Sequence, residues 1–408
     1  MGGGLTGCCT ALELAGRGHD VTIVEQDVEL MSRASLRNEG KIHLGLVYAN
    51  DVTLATGVLQ LQAALRFRSL LARWLGDGVD RIRTSTPFVY VVAHGSLRSP
   101  AQLMSFYGRL SEIWQAELRD DPRLDYLGER PRQLVEKLPE RDACQHFRPG
   151  TFQAAFQTVE RAIDTEDLAV AIRAELLRRP NVRVLAKHEV RRVTAHDRTL
   201  VVEGVNGDNH FALSASQIVN ATWERRLKLD QTLGLPVVPG VLHRLKYRVI
   251  ARTPMECMTS PSATMVLGRY GDAVVRPNGT VYLSWYPSAL QGWSTEVEPP
   301  RTWDLACRGT PPPEVAARVA RETVEEIGRW MPGMADVEVM QVDAGAIVAY
   351  GQTDIDDAAS GLHVRTRVGV HSQGNYHSVD PGKLTTAPLF ALEAAERVDH
   401  ALLKRTRT

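Results

Sequence analysis

Apolar residues recur along this chain with two alternating periods, and the alternation predicts most of its regular elements. Near the start Ala11, Leu12, Leu14 and Ala15 fall at helical spacing over 8–16, and Gly18 follows where a left-handed cap would sit. Val21-Thr22-Ile23-Val24-Glu25 is then a short β-branched strand. A second βα pattern lies mid-chain. Residues 152–158 alternate like a strand, 164–179 carry Leu168, Ile172, Leu176 and Leu177 on one helical stripe, and 182–185 form another strand. Between these blocks, amphipathic helices over 54–75 and 103–118 flank a strand at 88–92 and read as insertions.

From residue 242 the pattern changes to strands in succession at 245–250, 264–267, 272–276 and 280–285, punctuated by Pro277-Asn278-Gly279. Strands that follow one another without helices predict an antiparallel sheet. Pro313 opens a helix over about 314–331, and the tail 384–403 is a last helix with Leu389, Leu392, Ala395, Val398 and Leu402 inward.

At 408 residues and 44% hydrophobic, the chain is long enough for two or three domains. Its 48 basic and 48 acidic side chains cancel, so no field steers it toward nucleic acid or an anionic membrane. No run of 18 apolar residues and no secretory pattern occurs, which sets a soluble, cytoplasmic protein as the expectation. Five scattered cysteines without a C-x-x-C pair suggest neither a disulfide framework nor a metal site. Repeats of 20–50 residues, a G-x-S-x-G elbow, H-E-x-x-H and a P-loop are all absent, so hydrolase, zinc-protease and P-loop readings fall away.

Gly2-x-Gly4-Leu5-Thr6-Gly7, with Glu25 eighteen residues beyond the last glycine, matches the dinucleotide fingerprint. Its glycines let backbone approach a pyrophosphate at a helix N-terminus, and its acid binds a ribose hydroxyl. A Gly-rich linker would not lead into an amphipathic helix, a cap and a strand ending in an acid.

The polar, glycine-punctuated segment 32–45 contains Arg37-Asn38-Glu39-Gly40-Lys41-Ile42-His43-Leu44-Gly45. Here the chain resembles the D-amino-acid oxidase superfamily of FAD enzymes, which includes glycine and sarcosine oxidases, glycerol-3-phosphate dehydrogenase and L-2-hydroxyglutarate oxidase. In that superfamily an R-N-x-G-x-I-H-x-G stretch passes along the pyrophosphate and ribityl chain, which implies that Arg37, Asn38, Gly40 and His43 contact FAD. The resemblance extends over the chain in motif order. Residues 160–164 look like the turn back into the FAD domain, and His188-Glu189-Val190 looks like the adenine-side strand. Val219-Asn220-Ala221-Thr222 is similar to the strand-end A-T-G, with Trp223 where glycine is usual.

Asp380-Pro381-Gly382-Lys383-Leu384-Thr385-Thr386 resembles the G-K-x-T-T of the glycerol-3-phosphate and hydroxyglutarate branch. A lysine and a helix N-terminus aimed at the flavin pyrimidine edge would stabilise the negative charge appearing there on reduction. A capped surface helix with a solvated lysine is the plainer alternative. Pattern and resemblance together predict an α/β fold: a Rossmann-like FAD/NAD(P)-binding domain with an α+β substrate domain built on an antiparallel sheet. The FAD domain is expected from 1–86, 151–222 and 336–408, and the substrate domain from 87–150 and 223–335.

Candidate catalytic residues are His43, His371, Tyr376 and Arg365. His43 stands in the flavin loop; a structural histidine is the other reading. His371, Tyr376 and His377 lie in 369–377, expected as a polar loop ahead of the tail with at least one histidine facing the active site. Arg365 would meet an acidic substrate. Tyr282, Trp285 and Tyr286 could wall the flavin, Tyr282 and Tyr286 on one face by alternation. The cofactor-binding set adds Val190, Ala221, Thr222, Gly382, Lys383, Leu384 and Thr385; no metal is expected.

The fingerprint normally follows a buried strand, yet Met1 immediately precedes Gly2. Such a strand would be worth on the order of 7–15 kcal/mol as an upper estimate. The expectation is that the natural product begins upstream. The expected function is an FAD-dependent oxidoreductase removing a hydride from a C–H beside an amine or hydroxyl of a small polar substrate, with oxygen or another acceptor. The alternatives are an NAD-dependent dehydrogenase and a catalytically silent flavoprotein used as a binding module. Substrate, covalent linkage of the flavin and oligomeric state stay open at this level.

Overall fold

Strand-forming residues concentrate where the largest sheet forms. In the computed structural model, which describes residues 1–196 and 199–405, Phe88–Ala93 is an unbroken apolar run buried on both faces. Period-2 geometry sends Phe88, Tyr90 and Val92 one way and Val89, Val91 and Ala93 the other. The first set joins a core with Leu61, Leu65, Leu103, Tyr107, Leu110 and Trp114 from the helices Ala55–Leu75 and Pro100–Asp120. The second joins Val319, Ile327 and Trp330 of the helix Pro313–Trp330. Each such side chain contributes about 1.5–3 kcal/mol by leaving water, so helices clothe both faces of this sheet.

The sheet has nine strands, in the order Leu290–Ser294, Val241–Arg252, Thr280–Trp285, Gly271–Val275, Ser262–Val266, Phe88–Ala93, Phe152–Thr158 and Val135–Lys137. Glu338–Tyr350 pairs along the length of Val241–Arg252. It is mixed rather than purely antiparallel, because Phe88–Ala93 runs parallel to Ser262–Val266. Phe152–Thr158 and Glu338–Tyr350, expected in the nucleotide half, are both members of it.

The nucleotide side consists of smaller sheets. Val21–Val24 pairs in parallel with Val182–Leu185, and Ile218–Asn220 pairs in parallel with Tyr376–Asp380, which turns back on Gly369–Gln373. Met1 and Gly2 bridge these two sheets. The Met1 ammonium donates to Val219 O, Ala221 N–H to Met1 O, and Gly2 N–H to Val24 O, at 2.7, 2.9 and 2.9 Å. A three-stranded meander, Glu189–His196, Thr199–Asn206 and Asn209–Ala215, adjoins them.

Local chemistry sets the helix starts. Ser99 and Gln102 form a capping box that begins Pro100–Asp120 three residues ahead of the apolar stripe, and Asp164 caps Thr165–Leu177 by accepting from Glu166 and Asp167 N–H. The last helix is Ala387–Arg405. Among the described residues no helix is long and apolar enough to cross a membrane.

Candidate active site

Both ends of the chain line one cavity of about 1510 Å³, part of it open to solvent. Its lining comes from three stretches of the chain: Gly2 to Thr6 with Glu25; Arg37, Asn38, Glu39, Lys41 and His43; and Gly382, Lys383 and Leu384. Val190, Ala221 and Thr222 flank the first stretch.

The first stretch is built of backbone. Gly4 is extended and precedes the helix Leu5–Gly16; as glycine it has no side chain to cap the helix, and Ser35 Oγ takes the Leu5 N–H at 2.8 Å. The end presents the positive pole of the helix dipole, the chemistry that holds a pyrophosphate. Gly7 does not line the cavity. A Cβ there would lie 1.9 Å from Gly2 O, so the turn and the helix pack at a distance that only glycine permits. Gly2 itself has φ +89. Glu25 accepts from Gly3 N–H at 2.6 Å and Asp27 N–H at 2.8 Å, bracing the turn with both oxygens. Burial raises its pKa.

The loop after the first strand is shaped by its own side chains. Asn38 donates to Ala34 and Ser35 carbonyls and accepts from Gly40 N–H. Gly40, at φ +78, passes under Ile163 O, 2.1 Å from where a Cβ would be; it supports the loop from outside the cavity. Arg37 Nε lies 3.3 Å from Asp343, which also holds Arg248 at 2.6 Å.

His43 is buried, with Nε2 3.6 Å from Glu39 and Nδ1 4.0 Å from Glu160. Burial pulls its pKa below 6.5, so the imidazole is neutral at pH 7. Thr385, also outside the cavity lining, accepts from His43 N–H at 2.9 Å and ties the loop to the tail. Lys41 is buried, its Nζ 4.1 Å from the centre of the Phe88 ring, and donates to Asp272 at 3.0 Å.

In the tail, Gly382 at φ +64 donates to Asp380, whose other oxygen accepts from Arg226 at 3.0 Å. This turn carries Lys383 into the cavity. Burial, offset in part by Glu39, lowers the Lys383 pKa to about 8, with Arg365, Lys246 and Arg244 adding repulsion.

Three of the four expected catalytic residues are outside the cavity lining. The segment 369–377 is a β-hairpin rather than a loop: His371 is exposed on its outer strand. Tyr376 is buried, donating to Asp230 at 2.8 Å and accepting from Asn220 at 2.7 Å. His377 also faces away, bonded to Ser372 and Gln217. Arg365 is buried, its N–H donating to Thr56 and its Nη1 to Val348 O.

Of the aromatic wall only Tyr282 lines the cavity. The strand ends at Trp285, Tyr286 starts a helical turn, and the expected shared face is lost. Trp223 takes the left-handed φ of +52 that glycine would fill, and its indole N–H donates to Ala346 O at 2.8 Å. Glu39, Lys41, Lys246 and Arg248 line the cavity without having been singled out from sequence. Basic residues at 244, 246 and 248, spaced by two in an apolar strand, were the available signal for the last two.

The family model described as FAD dependent oxidoreductase matches residues 1–397. Solved structures similar in fold include glycine oxidase from Geobacillus kaustophilus, at 16% identity and TM-score 0.68, covering 98% of this chain and 93% of that one. L-proline dehydrogenase from P. horikoshii is 14% identical with TM-score 0.66, covering 98% and 92%. L-alpha-glycerophosphate oxidase from Mycoplasma pneumoniae, solved with FAD bound, is 16% identical with TM-score 0.61, covering 98% and 93%. No curated protein matches by sequence.

Proposed function

Because the chain belongs to the FAD-dependent oxidoreductase family, we propose that it removes a hydride from a C–H beside an amine or hydroxyl of a small polar substrate. FAD is the cofactor, which sets the NAD-dependent alternative aside; when bound it supplies the two-electron acceptor. The observation that carries the proposal is the single cavity lined by Gly2 to Thr6, His43 and Lys383.

In this reading Gly2, Gly4, Leu5 and Thr6 hold the diphosphate, with Gly7 and Glu25 shaping the turn. Arg37, Asn38 and Gly40 guide the middle of the cofactor, and Val190, Ala221 and Thr222 flank its adenosine. Gly382, Lys383, Leu384 and Thr385 serve the flavin ring, Lys383 holding positive charge at its pyrimidine edge. His43, neutral at pH 7, accepts a proton or contacts the ring. Lys246, Tyr282 and Glu39 face the substrate. The two-part division of the chain is retained, with Phe152–Thr158 and Glu338–Tyr350 assigned to the substrate-side sheet.

The test is anaerobic bleaching of the bound flavin by a panel of amino acids, amino sugars and 2-hydroxy acids, then oxygen uptake during reoxidation. Bleaching by one class supports the proposal and names its substrate. A protein that retains FAD and is bleached by none is the silent binding module instead.

A further inference from the structure

His43 meets a carboxylate on each side of its ring. Nε2 lies 3.6 Å from Glu39, which lines the cavity, and Nδ1 lies 4.0 Å from Glu160, which does not. The two carboxylates stand in different surroundings. Burial works against the charge of Glu39, and His43, Lys383 and Lys246 sustain it. Glu160 is fully buried, where Tyr90 Oη donates to its Oε1 and Leu44 N–H to its Oε2 at 2.6 Å. Both donors are neutral, and among the described residues His43 is the one basic side chain within 4.0 Å of this carboxylate.

A buried carboxylate without a counter-ion is unfavourable, so the single proton of the neutral imidazole belongs on the nitrogen that faces Glu160. Nδ1 is itself buried and makes no hydrogen bond. Contacts of this kind are commonly long before substrate binds and tighten with it. A carboxylate behind one ring nitrogen fixes the tautomer and leaves the other nitrogen as an acceptor.

We infer that Glu160 is a positioning residue for His43: its carboxylate holds the ring proton on Nδ1, leaves the Nε2 lone pair on the cavity side, and supports the imidazolium formed when Nε2 takes a proton from the substrate. The inference rests on the function proposed above. In that step the substrate N–H or O–H bond breaks and its electron pair stays on the heteroatom, building a C=N or C=O bond as the hydride leaves carbon for FAD. The proton bonds to Nε2. The groups around His43 oppose one another: burial, Lys383 and Lys41 disfavour the imidazolium, Glu39 and Glu160 favour it, and Tyr48, edge-on at 5.8 Å, stays a neutral phenol.

Glu160→Gln removes the charge and keeps the shape. Leu44 N–H retains the amide oxygen at the Oε2 position, which turns the amide NH2 toward Nδ1 and moves the ring proton to Nε2. The experiment is NMR of the FAD-loaded protein carrying isotope-labelled histidine at pH 7, with the His43 signal assigned by its loss in His43→Gln. Wild type is expected as the Nδ1–H tautomer and Glu160→Gln as Nε2–H. Tyr90→Phe, which removes a donor but leaves the carboxylate charged, stays Nδ1–H. With a compound that bleaches the flavin, Glu160→Gln slows anaerobic reduction by about ten-fold or more and moves the acid limb of its pH profile down by about one unit, and Glu160→Asp recovers part of the rate. An Nε2–H tautomer in wild type overturns the assignment, and that measurement needs no variant to fold. A tautomer unmoved in Glu160→Gln, or switched equally by Tyr90→Phe, overturns it as well. Bleaching with the same rate and pH profile in Glu160→Gln also overturns it, leaving the oxidoreductase reading intact. The tautomer switch without bleaching by any compound upholds the hold of Glu160 on His43 and defeats the proposed chemistry.

Discussion

The two ends of the cavity are walled by different materials. Around Gly2 to Thr6 the wall is backbone, and the charged side chains nearby are paired with one another: Arg33 with Asp27, Glu224 and Asp304, and Arg225 with Glu189 and Asp304. Around Lys383 the wall is side chain, and burial together with the charges of Arg365, Lys246 and Arg244 holds the lysine pKa down to about 8. A backbone site recognises what every dinucleotide shares, so its electrostatics can be closed before the cofactor arrives. A side-chain site can be particular to one ligand, because its shape and charge are set residue by residue.

The sharpest way to break this contrast is at Gly7. Gly7→Val drives a side chain into Gly2 O and is expected to abolish FAD retention, measured as flavin absorbance after gel filtration. Gly18→Ala, at φ +89 but with open space around its Cβ, costs only about 1–2 kcal/mol of stability and leaves FAD bound. Equal outcomes would mean that close packing is not what the fingerprint glycines provide.

At the other end, Lys383→Met is expected to retain FAD and slow anaerobic flavin reduction by about a hundred-fold. A reduction rate within threefold of wild type would remove Lys383 from the chemistry.

A smaller effect lies outside both ends. His377 is buried neutral, its pKa lowered to about 4 by desolvation. Below pH 6.5 the unfolded chain takes up a proton that the folded protein refuses until about pH 4. Stability therefore falls on acidification through that window, by up to about 1.4 kcal/mol per pH unit. His377→Gln should flatten that slope in urea melts at pH 7, 6 and 5; an unchanged slope would show that His377 titrates alike in both states.

The smallest effect belongs to the closed charges. Asp304→Asn leaves Arg33 with Asp27 and Glu224 and Arg225 with Glu189, so FAD affinity should change by no more than about fivefold. A larger loss, seen by fluorescence titration of apoprotein, would mean that this end also relies on side-chain charge.

The same contrast explains what was legible in the sequence. Gly2, Gly4, Gly7 and Glu25 sit within one βα unit, where spacing along the chain fixes spacing in space, and the period-2 and helical runs gave most strands and helices. Met1 meeting Val219, or His43 meeting Thr385, depends on separations of more than 100 residues that no local pattern carries. His371 and Tyr376 misled because glycine and polar residues in 369–377 look like a loop, whereas Gly374 at φ +60 turns a tight hairpin whose pairing buries Tyr376. The strand Glu338–Tyr350 was assigned by position in the chain, although its residues pair with Val241–Arg252.

Trp223 adds an optical property. Among the described residues that line the cavity it is the sole tryptophan, pinned by its indole N–H to the large sheet. Its emission overlaps flavin absorption, so loading of the cofactor should quench it strongly. Trp223→Phe would then separate that local signal from the emission of the six tryptophans outside the cavity lining, making the chain its own fluorimeter for occupancy.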